Sequence, residues 1–210
     1  KGEYQPDAGK TSCLKCPAGT YTTVEGGRQH TVCLPCPEGQ YQDQTGQSAC
    51  IPCPVATFRA AGSSADALSS CLPCNVGTYQ PSTGKGSCLP CEEGTYANAS
   101  RQTSCQDCPA GTFSRVPSAQ SPSVCQECPA GTYQHLTGQS ECASCATGKF
   151  SNVSRATSES VCQFCGAGQY QDVAGSTQCK VCPQGTFSTT TGAPSNSTCE
   201  LCEVGHFQPR

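Results

Sequence analysis

Cysteine is the residue type whose spacing could carry chemistry in this chain. All 22 cysteines of the 210 residues fall in eleven Cys-x-x-Cys pairs, and successive pairs start 17, 20 or 21 residues apart. Such pairs can bind zinc, act as a thioredoxin-like redox centre, or form structural disulfides. The choice among these three chemistries determines both the fold and the functions open to the chain.

Structural disulfides fit the pattern better than metal or redox chemistry. Zinc sites often mix cysteine with histidine, but the three histidines, His30, His135 and His206, stand at unrelated positions of the repeat. A redox Cys-x-x-Cys motif is normally single and begins a helix, whereas eleven copies recur here without a helical pattern. We therefore predict neither a metal site nor a catalytic residue, and we expect the chain not to be an enzyme.

Three N-glycosylation acceptors support the same interpretation. They begin at Asn98, Asn152 and Asn196, and such acceptors are used in the secretory route, which is oxidising. We expect N-linked glycans at these residues, no other cofactor, and an extracellular location, either secreted or at the cell surface.

Two further residue types keep a fixed distance from the cysteines. Counting from the second cysteine of each pair, the third residue is glycine except at Ala56, and the fifth is always aromatic. Together with Tyr4, this aromatic position holds 12 of the 13 aromatic residues, and Phe164 is the exception. The glycine predicts a turn and the aromatic ring a miniature core for each module. Glutamine follows the ring in most short modules.

The composition excludes one large hydrophobic core. Leu, Ile, Val and Phe together make 25 of the 210 residues, and Gly, Pro and Thr interrupt every helical pattern. The predicted fold is therefore a set of small disulfide-rich repeats, an elongated tandem array of short β-hairpin or loop modules with little or no helix. Each module should contact only its neighbours.

The module boundaries follow from the cysteine pairs. Residues 1–15 are expected to be the end of a truncated module, and residues 16–210 to be tandem cysteine-rich modules. These start near residues 16, 36, 53, 74, 91, 108, 128, 145, 165 and 182, with an incomplete one from 202.

Two disulfide schemes respect the repeat. In a crossed scheme neighbouring pairs join two by two, which leaves one of the eleven pairs over. In a local scheme the second cysteine of each pair joins the first of the next, which leaves only Cys13 and Cys202, and we prefer it. Its bridges are Cys16–Cys33, Cys36–Cys50, Cys53–Cys71, Cys74–Cys88, Cys91–Cys105, Cys108–Cys125, Cys128–Cys142, Cys145–Cys162, Cys165–Cys179 and Cys182–Cys199.

The strings Cys105-Gln-Asp-Cys-Pro-Ala-Gly-Thr-Phe113 and Cys125-Gln-Glu-Cys-Pro-Ala-Gly-Thr-Tyr133 resemble the ephrin-receptor-like cysteine-rich repeat. They are also similar to the single-bridge module of tumour necrosis factor receptors, in which the segment closes locally onto its next cysteine. The first resemblance implies a receptor ectodomain, a large mosaic extracellular protein, or a filament-forming surface protein such as a mastigoneme-like fibre. The chain lacks the extra cysteines of the receptor's two-bridge module, which weakens the transfer of cytokine binding.

The expected function is that of a non-catalytic extracellular structural or adhesive rod, a segment of a larger glycoprotein. Its partners should be proteins, through self-association or contact with other matrix or surface proteins, because nearly identical modules offer no single distinct site. The formal net charge of −3 and the scattered Lys and Arg argue against nucleic acid, and no apolar run could span a membrane. A ligand-binding ectodomain of a cell-surface receptor is the alternative.

Overall fold

A computed structural model of the chain describes residues 1–203 as a succession of two-stranded β-hairpins. The part of the last predicted module that contains Gly205 and Phe207 lies outside the described residues. The strands are β1 (Glu3–Tyr4), β2 (Leu14–Lys15), β3 (Thr20–Tyr21), β4 (Leu34–Pro35), β5 (Gln40–Tyr41), β6 (Ile51–Pro52), β7 (Thr57–Phe58), β8 (Leu72–Pro73), β9 (Thr78–Tyr79), β10 (Leu89–Pro90), β11 (Thr95–Tyr96), β12 (Gln106–Asp107), β13 (Thr112–Phe113), β14 (Gln126–Glu127), β15 (Thr132–Tyr133), β16 (Ala143–Ser144), β17 (Lys149–Phe150), β18 (Gln163–Phe164), β19 (Gln169–Tyr170), β20 (Lys180–Val181), β21 (Thr186–Phe187) and β22 (Glu200–Leu201).

Each hairpin is built from the two recurring sequence features. Its first strand contains the aromatic residue, and its second strand consists of the two residues between the cysteines of the next pair. In the antiparallel ladder of β5 and β6, for example, Tyr41 pairs with Ile51 and Gln40 with Pro52. The predicted fold of small disulfide-rich tandem hairpins is therefore confirmed.

Helical structure within residues 1–203 is limited to single turns of 3₁₀ helix in the longer modules. These turns span His30–Val32, Leu68–Ser70, Pro122–Val124, Glu159–Val161 and Asn196–Thr198. Each ends at the cysteine that closes its module, so the extra residues of a long module are taken up by this turn.

The core of a module consists mainly of sulfur and small side chains. The second cysteine of most pairs is fully buried, and Thr22, Ser114 and Ala97 are nearly so. Among the described residues, Tyr41 is buried and the other rings at the aromatic position are half-buried. Tyr41 forms a buried cluster with Cys53 and Cys71, and the other rings at this position are only partly shielded from solvent.

Backbone hydrogen bonds connect successive modules in a repeating pattern. The Cys36 N–H donates to the Gly19 carbonyl at 2.9 Å, and the Gly19 N–H donates to the Gln42 carbonyl at 2.7 Å. The Gly46 N–H donates to the Cys16 carbonyl at 2.8 Å. Equivalent bonds recur along the chain, so neighbouring modules are held by the same donors and acceptors each time.

In most modules the glycine that follows the cysteine pair also reaches a module two places further on. A Cβ added to Gly39 would lie closer than 3.0 Å to the carbonyl of Gly84, which belongs to the second module after its own. The same holds between Gly94 and Gly138. The expectation that modules contact only their neighbours is therefore wrong.

The chain divides into two compact units. The first contains Lys1–Glu92, Tyr96–Cys105 and Ser118–Ser121, and the second contains Glu93–Thr95, Gln106–Pro117 and Pro122–Arg210. Strands β1 to β10 lie in the first unit, and β13 to β22 lie in the second. Each unit is built from the same hairpin and bridge.

Candidate interaction surface

The strand geometry explains why the two cysteines of a pair serve different modules. The two intervening residues form a β-strand, and successive side chains of a strand point to opposite faces. Cysteines three residues apart therefore point away from each other, so one closes the preceding module while the other opens the next.

The structure joins the ten cysteine pairs of the local scheme, including Cys16 to Cys33 and Cys36 to Cys50. Their Cα atoms are 5.5–5.8 Å apart, within the usual range for disulfides. Twenty sulfurs are thereby bonded, and Cys13 and Cys202 are free. The same connectivity in secreted protein stays a prediction.

The residue after the aromatic ring organises the loop that the disulfide closes. In most short modules this residue is glutamine, and its amide bridges the loop. Gln80 Nε2 donates to the Ser87 carbonyl at 2.9 Å, while Gln80 Oε1 accepts from the Ser82 N–H at 3.1 Å. The same two bonds recur for Gln42, Gln134 and Gln171.

In long modules other than the one that begins at Cys53, the same position carries serine or threonine. The Ser114 and Ser151 hydroxyls each accept from the N–H two residues on, at 3.2 Å. A hydroxyl is too short to reach the residue before the closing cysteine, and a 3₁₀ turn occupies that end of the loop instead. The side chain after the ring thus differs with loop length, although Ala97 stands there in one short module.

Arg59 occupies this position in the module with the longest bridge, which spans 18 residues. Its side chain is buried, with 2% of the residue exposed. The guanidinium donates to the carbonyls of Cys36, Pro37, Gln40, Ala60 and Ser63. Because a guanidinium has five N–H donors, these bonds leave it no free donor for a ligand.

The aliphatic residues lie on the surface. Every leucine and the single isoleucine are at least 40% exposed, as are Val24, Val116, Val153 and Val173. Five of them occupy one recurring position, the first residue of the second strand, where they pair across the hairpin with the aromatic residue, as Leu34 does with Tyr21. Burial of sulfur and small side chains is what leaves the aliphatic residues free for contact with other molecules.

Charged groups are few, and apart from Arg59 none of those within residues 1–203 is buried. Lys180 forms an ion pair with Asp172, which lowers the pKa of the Asp172 carboxyl and raises that of the Lys180 ammonium. Lys149 bonds Glu159 at 2.9 Å and stands 5.0 Å from the centre of the Phe164 ring. No group of three His, Cys, Asp or Glu residues among residues 1–203 could hold a metal ion.

The three glycosylation acceptors are exposed. Asn98 and Asn152 both lie two residues after the aromatic ring of their modules, and Asn196 begins the 3₁₀ turn that ends at Thr198. The described residues also contain no helix long and apolar enough to cross a membrane.

These observations define a class of protein, an array of small hairpin modules each closed by a single disulfide and connected by repeated backbone hydrogen bonds. The family model described as tyrosine-protein kinase ephrin type A/B receptor-like matches residues 1–33, 26–64, 61–92, 82–125, 118–162 and 159–199. The chain belongs to this family of cysteine-rich repeats. No curated protein matches the chain. The disulfides and the family point to an extracellular or surface location.

Sequence reasoning identified the cysteines, the glycines and the aromatic position but missed the two features that matter for contact. One is Arg59, which stands in the longest module where the other long modules have serine or threonine, and this departure was a usable signal. The other is the recurrence of leucine immediately after the first cysteine of early pairs. Leucine in a chain so poor in aliphatic residues is readily taken for core.

Proposed function

We propose that the chain is a non-catalytic structural or adhesive segment of a secreted or surface glycoprotein, and that it assembles with other copies of itself into filaments. The observation that carries this proposal is the combination of one repeated module with repeatedly exposed aliphatic side chains. Leu34 and Leu72, for instance, are 51% and 52% exposed at equivalent positions. Exposed apolar groups on a repeating frame favour contact with an equally periodic partner.

Because a disulfide stabilises each module, the fold does not depend on burial of these aliphatic side chains. Closing a loop of about 15 residues stabilises a module by roughly 3 kcal/mol in the loop-entropy model. The described bridges close loops of 14, 17 or 18 residues. The modules can therefore present their few aliphatic residues to partners, and catalysis is not needed to explain any of the recurring residues.

The glycosylation acceptors are part of this proposal. Asn98, Asn152 and Asn196 are exposed, and glycans there would limit which faces of the array can touch a partner. Enzymatic release of N-glycans in heavy-oxygen water followed by mass spectrometry should convert these residues to labelled aspartate. Unmodified asparagine at all three positions in secreted material would contradict this part of the proposal.

The receptor alternative depends on the module that begins at Cys53. It departs from the other long modules through Ala56 in the glycine position and Arg59 in the position of serine or threonine, and an open groove of about 520 Å³ lies beside Arg59 and Asp66. The donors of Arg59 are all used within the fold, however, so the groove offers no unpaired charge from that side chain. The observations favour self-association over ligand capture.

Sedimentation velocity and negative-stain microscopy of the secreted chain test the proposal. Cys13 and Cys202 should first be blocked with iodoacetamide, because free cysteines can crosslink copies by oxidation. We expect reversible association that rises with concentration over roughly 1 µM to 1 mM, the range of small interfaces, together with fibrous particles. Monodisperse globules at every concentration would overturn it.

A further inference from the structure

Five exposed aliphatic residues recur in the first unit at one position, the first residue of the second strand. They form the first apolar series, Leu14, Leu34, Ile51, Leu72 and Leu89, and they are 40–52% exposed. Each pairs across its hairpin with the aromatic residue of the module, for example Leu89 with Tyr79. A buried or half-buried ring therefore flanks every member of the series.

A second set recurs in the second unit at a different position, three residues after the aromatic ring. This second apolar series consists of Val116, Leu136, Val153 and Val173, which are 45–56% exposed. They belong to four consecutive modules. The same position is also aliphatic in one early module, at Val24.

The fold does not require aliphatic residues at either position. Later hairpins keep the same register with polar residues where the first series has leucine, as at Gln126, Gln163 and Lys180. Likewise, Gln44 and Ser82 stand at the position of the second series in earlier modules. Early modules thus have the aliphatic residue at the first position of the second strand, and later modules have it three residues after the aromatic ring, while the hairpin stays the same. This points to a role in contact rather than in folding.

The two series have matching spacing. Successive members of the first series are 20, 17, 21 and 17 residues apart, and those of the second are 20, 17 and 20 apart. An array with the same alternation of module lengths presents apolar groups at these sequence intervals. An unrelated surface is not expected to have apolar groups at the same intervals. This shared period favours a second copy of this chain as the partner.

We propose that the first apolar series of one copy packs against the second apolar series of another copy. This proposal rests on the self-association proposed above and names the surfaces that carry it. The contact is heterologous, because the two series occupy different positions of the module.

Charge favours the pairing of unlike series. The first unit contains seven Lys or Arg and seven Asp or Glu residues, while the second contains five and eight. Pairing the second series with itself would bring two units of net charge −3 together, which costs electrostatic energy. Pairing it with the first series places an acidic unit beside a neutral one.

The area is that of a weak interface. A half-exposed Leu or Val side chain offers on the order of 50 Å² of apolar surface, so the first series provides roughly 250 Å² per copy. A standard stable interface buries about 800 Å² on each partner. The series can therefore form only the apolar centre of a contact, and association should depend strongly on concentration.

Two triple variants and a matched control test the proposal. The first-series variant combines Leu34→Gln, Ile51→Gln and Leu72→Gln, because glutamine occupies that position in later hairpins. The second-series variant combines Val116→Gln, Leu136→Gln and Val153→Gln. The control combines Val55→Gln, Leu68→Gln and Val181→Gln, which removes three exposed aliphatic residues outside both series.

Sedimentation velocity on the cysteine-blocked chains gives the readout, with circular dichroism confirming that each variant is folded. We expect each series variant to weaken self-association about tenfold or more, and the control to stay within about threefold of the unmodified chain. A mixture of the two series variants should form one-to-one pairs, because each supplies the series that the other lacks.

The outcomes separate this proposal from the one on which it rests. Undiminished association of either series variant, or a mixture that fails to pair, overturns the pairing of unlike series while self-association itself stands. A strictly monomeric unmodified chain overturns both.

Discussion

Gly39 faces the backbone carbonyl of Gly84, which lies two modules further along the chain, with no room between them for a Cβ atom. Gly39 also has a φ of 73°, in the left-handed region. One glycine thus meets two separate requirements, a turn within its own module and a close approach to a distant one. The two requirements can be separated by substitution.

Gly39→Ala should destabilise the fold more than Gly62→Ala. Gly62 has a φ of 77°, but a Cβ there would meet nothing within 4 Å. The left-handed conformation alone costs an alanine about 1–2 kcal/mol, and only Gly39→Ala adds the collision with Gly84. Urea unfolding with the disulfides intact should show at least twice the loss for Gly39→Ala, and equal losses would contradict the contact between alternate modules.

Replacement of Arg59 by alanine should loosen the module that starts at Cys53 and the one before it. The guanidinium is the donor to the carbonyls of Cys36, Pro37 and Gln40, and buried acceptors without donors cost about 1–3 kcal/mol each. Hydrogen exchange by mass spectrometry should show faster exchange in residues 36–71, with a loss of stability on the order of 3 kcal/mol.

Arg115→Ala is the control for that variant. Arg115 is exposed and its ion pair with Glu141 spans 3.6 Å at the surface, so its removal should change stability by less than about 1 kcal/mol. Unchanged exchange in residues 36–71 of Arg59→Ala would show that the buried guanidinium does not support these loops.

The strongest sequence signals concerned residues whose type meets a local backbone requirement. Glycine three residues after Cys36 predicts a turn because few other residues adopt a positive φ, and the structure has that turn at Gly39. The contact of Gly39 with Gly84 was beyond sequence reasoning, since it depends on how successive modules are rotated. The spacing of residues along the chain gives no information about how successive modules are rotated.

The position of the aliphatic residues was harder to infer for a different reason. Leu34 and Pro35 form a strand of only two residues between Cys33 and Cys36. A strand this short shows no sequence alternation that would distinguish a buried face from an exposed one. The pairing of Leu34 with Tyr21 then places both on one side of the hairpin. Only the knowledge that sulfur fills the interior, as at Cys36 with 6% exposure, shows that the leucine is left outside.

Gln80→Ala should increase exchange in its loop without unfolding the module. The substitution removes the bonds from the side chain to the Ser87 carbonyl and the Ser82 N–H, which together contribute roughly 1–2 kcal/mol. Hydrogen exchange in residues 81–87 should approach that of residues 98–104, where Ala97 naturally stands in place of glutamine. Exchange that stays as slow as in the unmodified loop would contradict the role of the amide.

Peptide mapping under non-reducing conditions should recover the bridges of the local scheme. Proteolysis between Cys33 and Cys36 should give separate peptides joined to Cys16 and Cys50, respectively, because the two cysteines point to opposite sides of the strand. Linkage of Cys16 to Cys36 would establish the crossed scheme instead. Alkylation before reduction should label Cys13 and Cys202.

The ion pair of Asp172 and Lys180 should make one surface loop sensitive to pH. The hydrogen bond from Lys180 lowers the pKa of the Asp172 carboxyl. Its contribution to stability is therefore present above the ordinary pKa of aspartate and is lost as the pH falls through the lowered value. The raised pKa of Lys180 has the opposite consequence, since its contribution is lost as the pH rises through that raised value.

Titration of the Asp172 carboxyl by NMR measures this coupling directly. Lys180→Gln should move the midpoint upward towards the ordinary value, and so should 1 M salt, because the pair is partly exposed and screened. Lys149→Gln removes a different surface lysine, which pairs with Glu159, and should leave the Asp172 midpoint unchanged. An Asp172 midpoint that does not respond to Lys180→Gln would mean that another group lowers the pKa of that carboxyl.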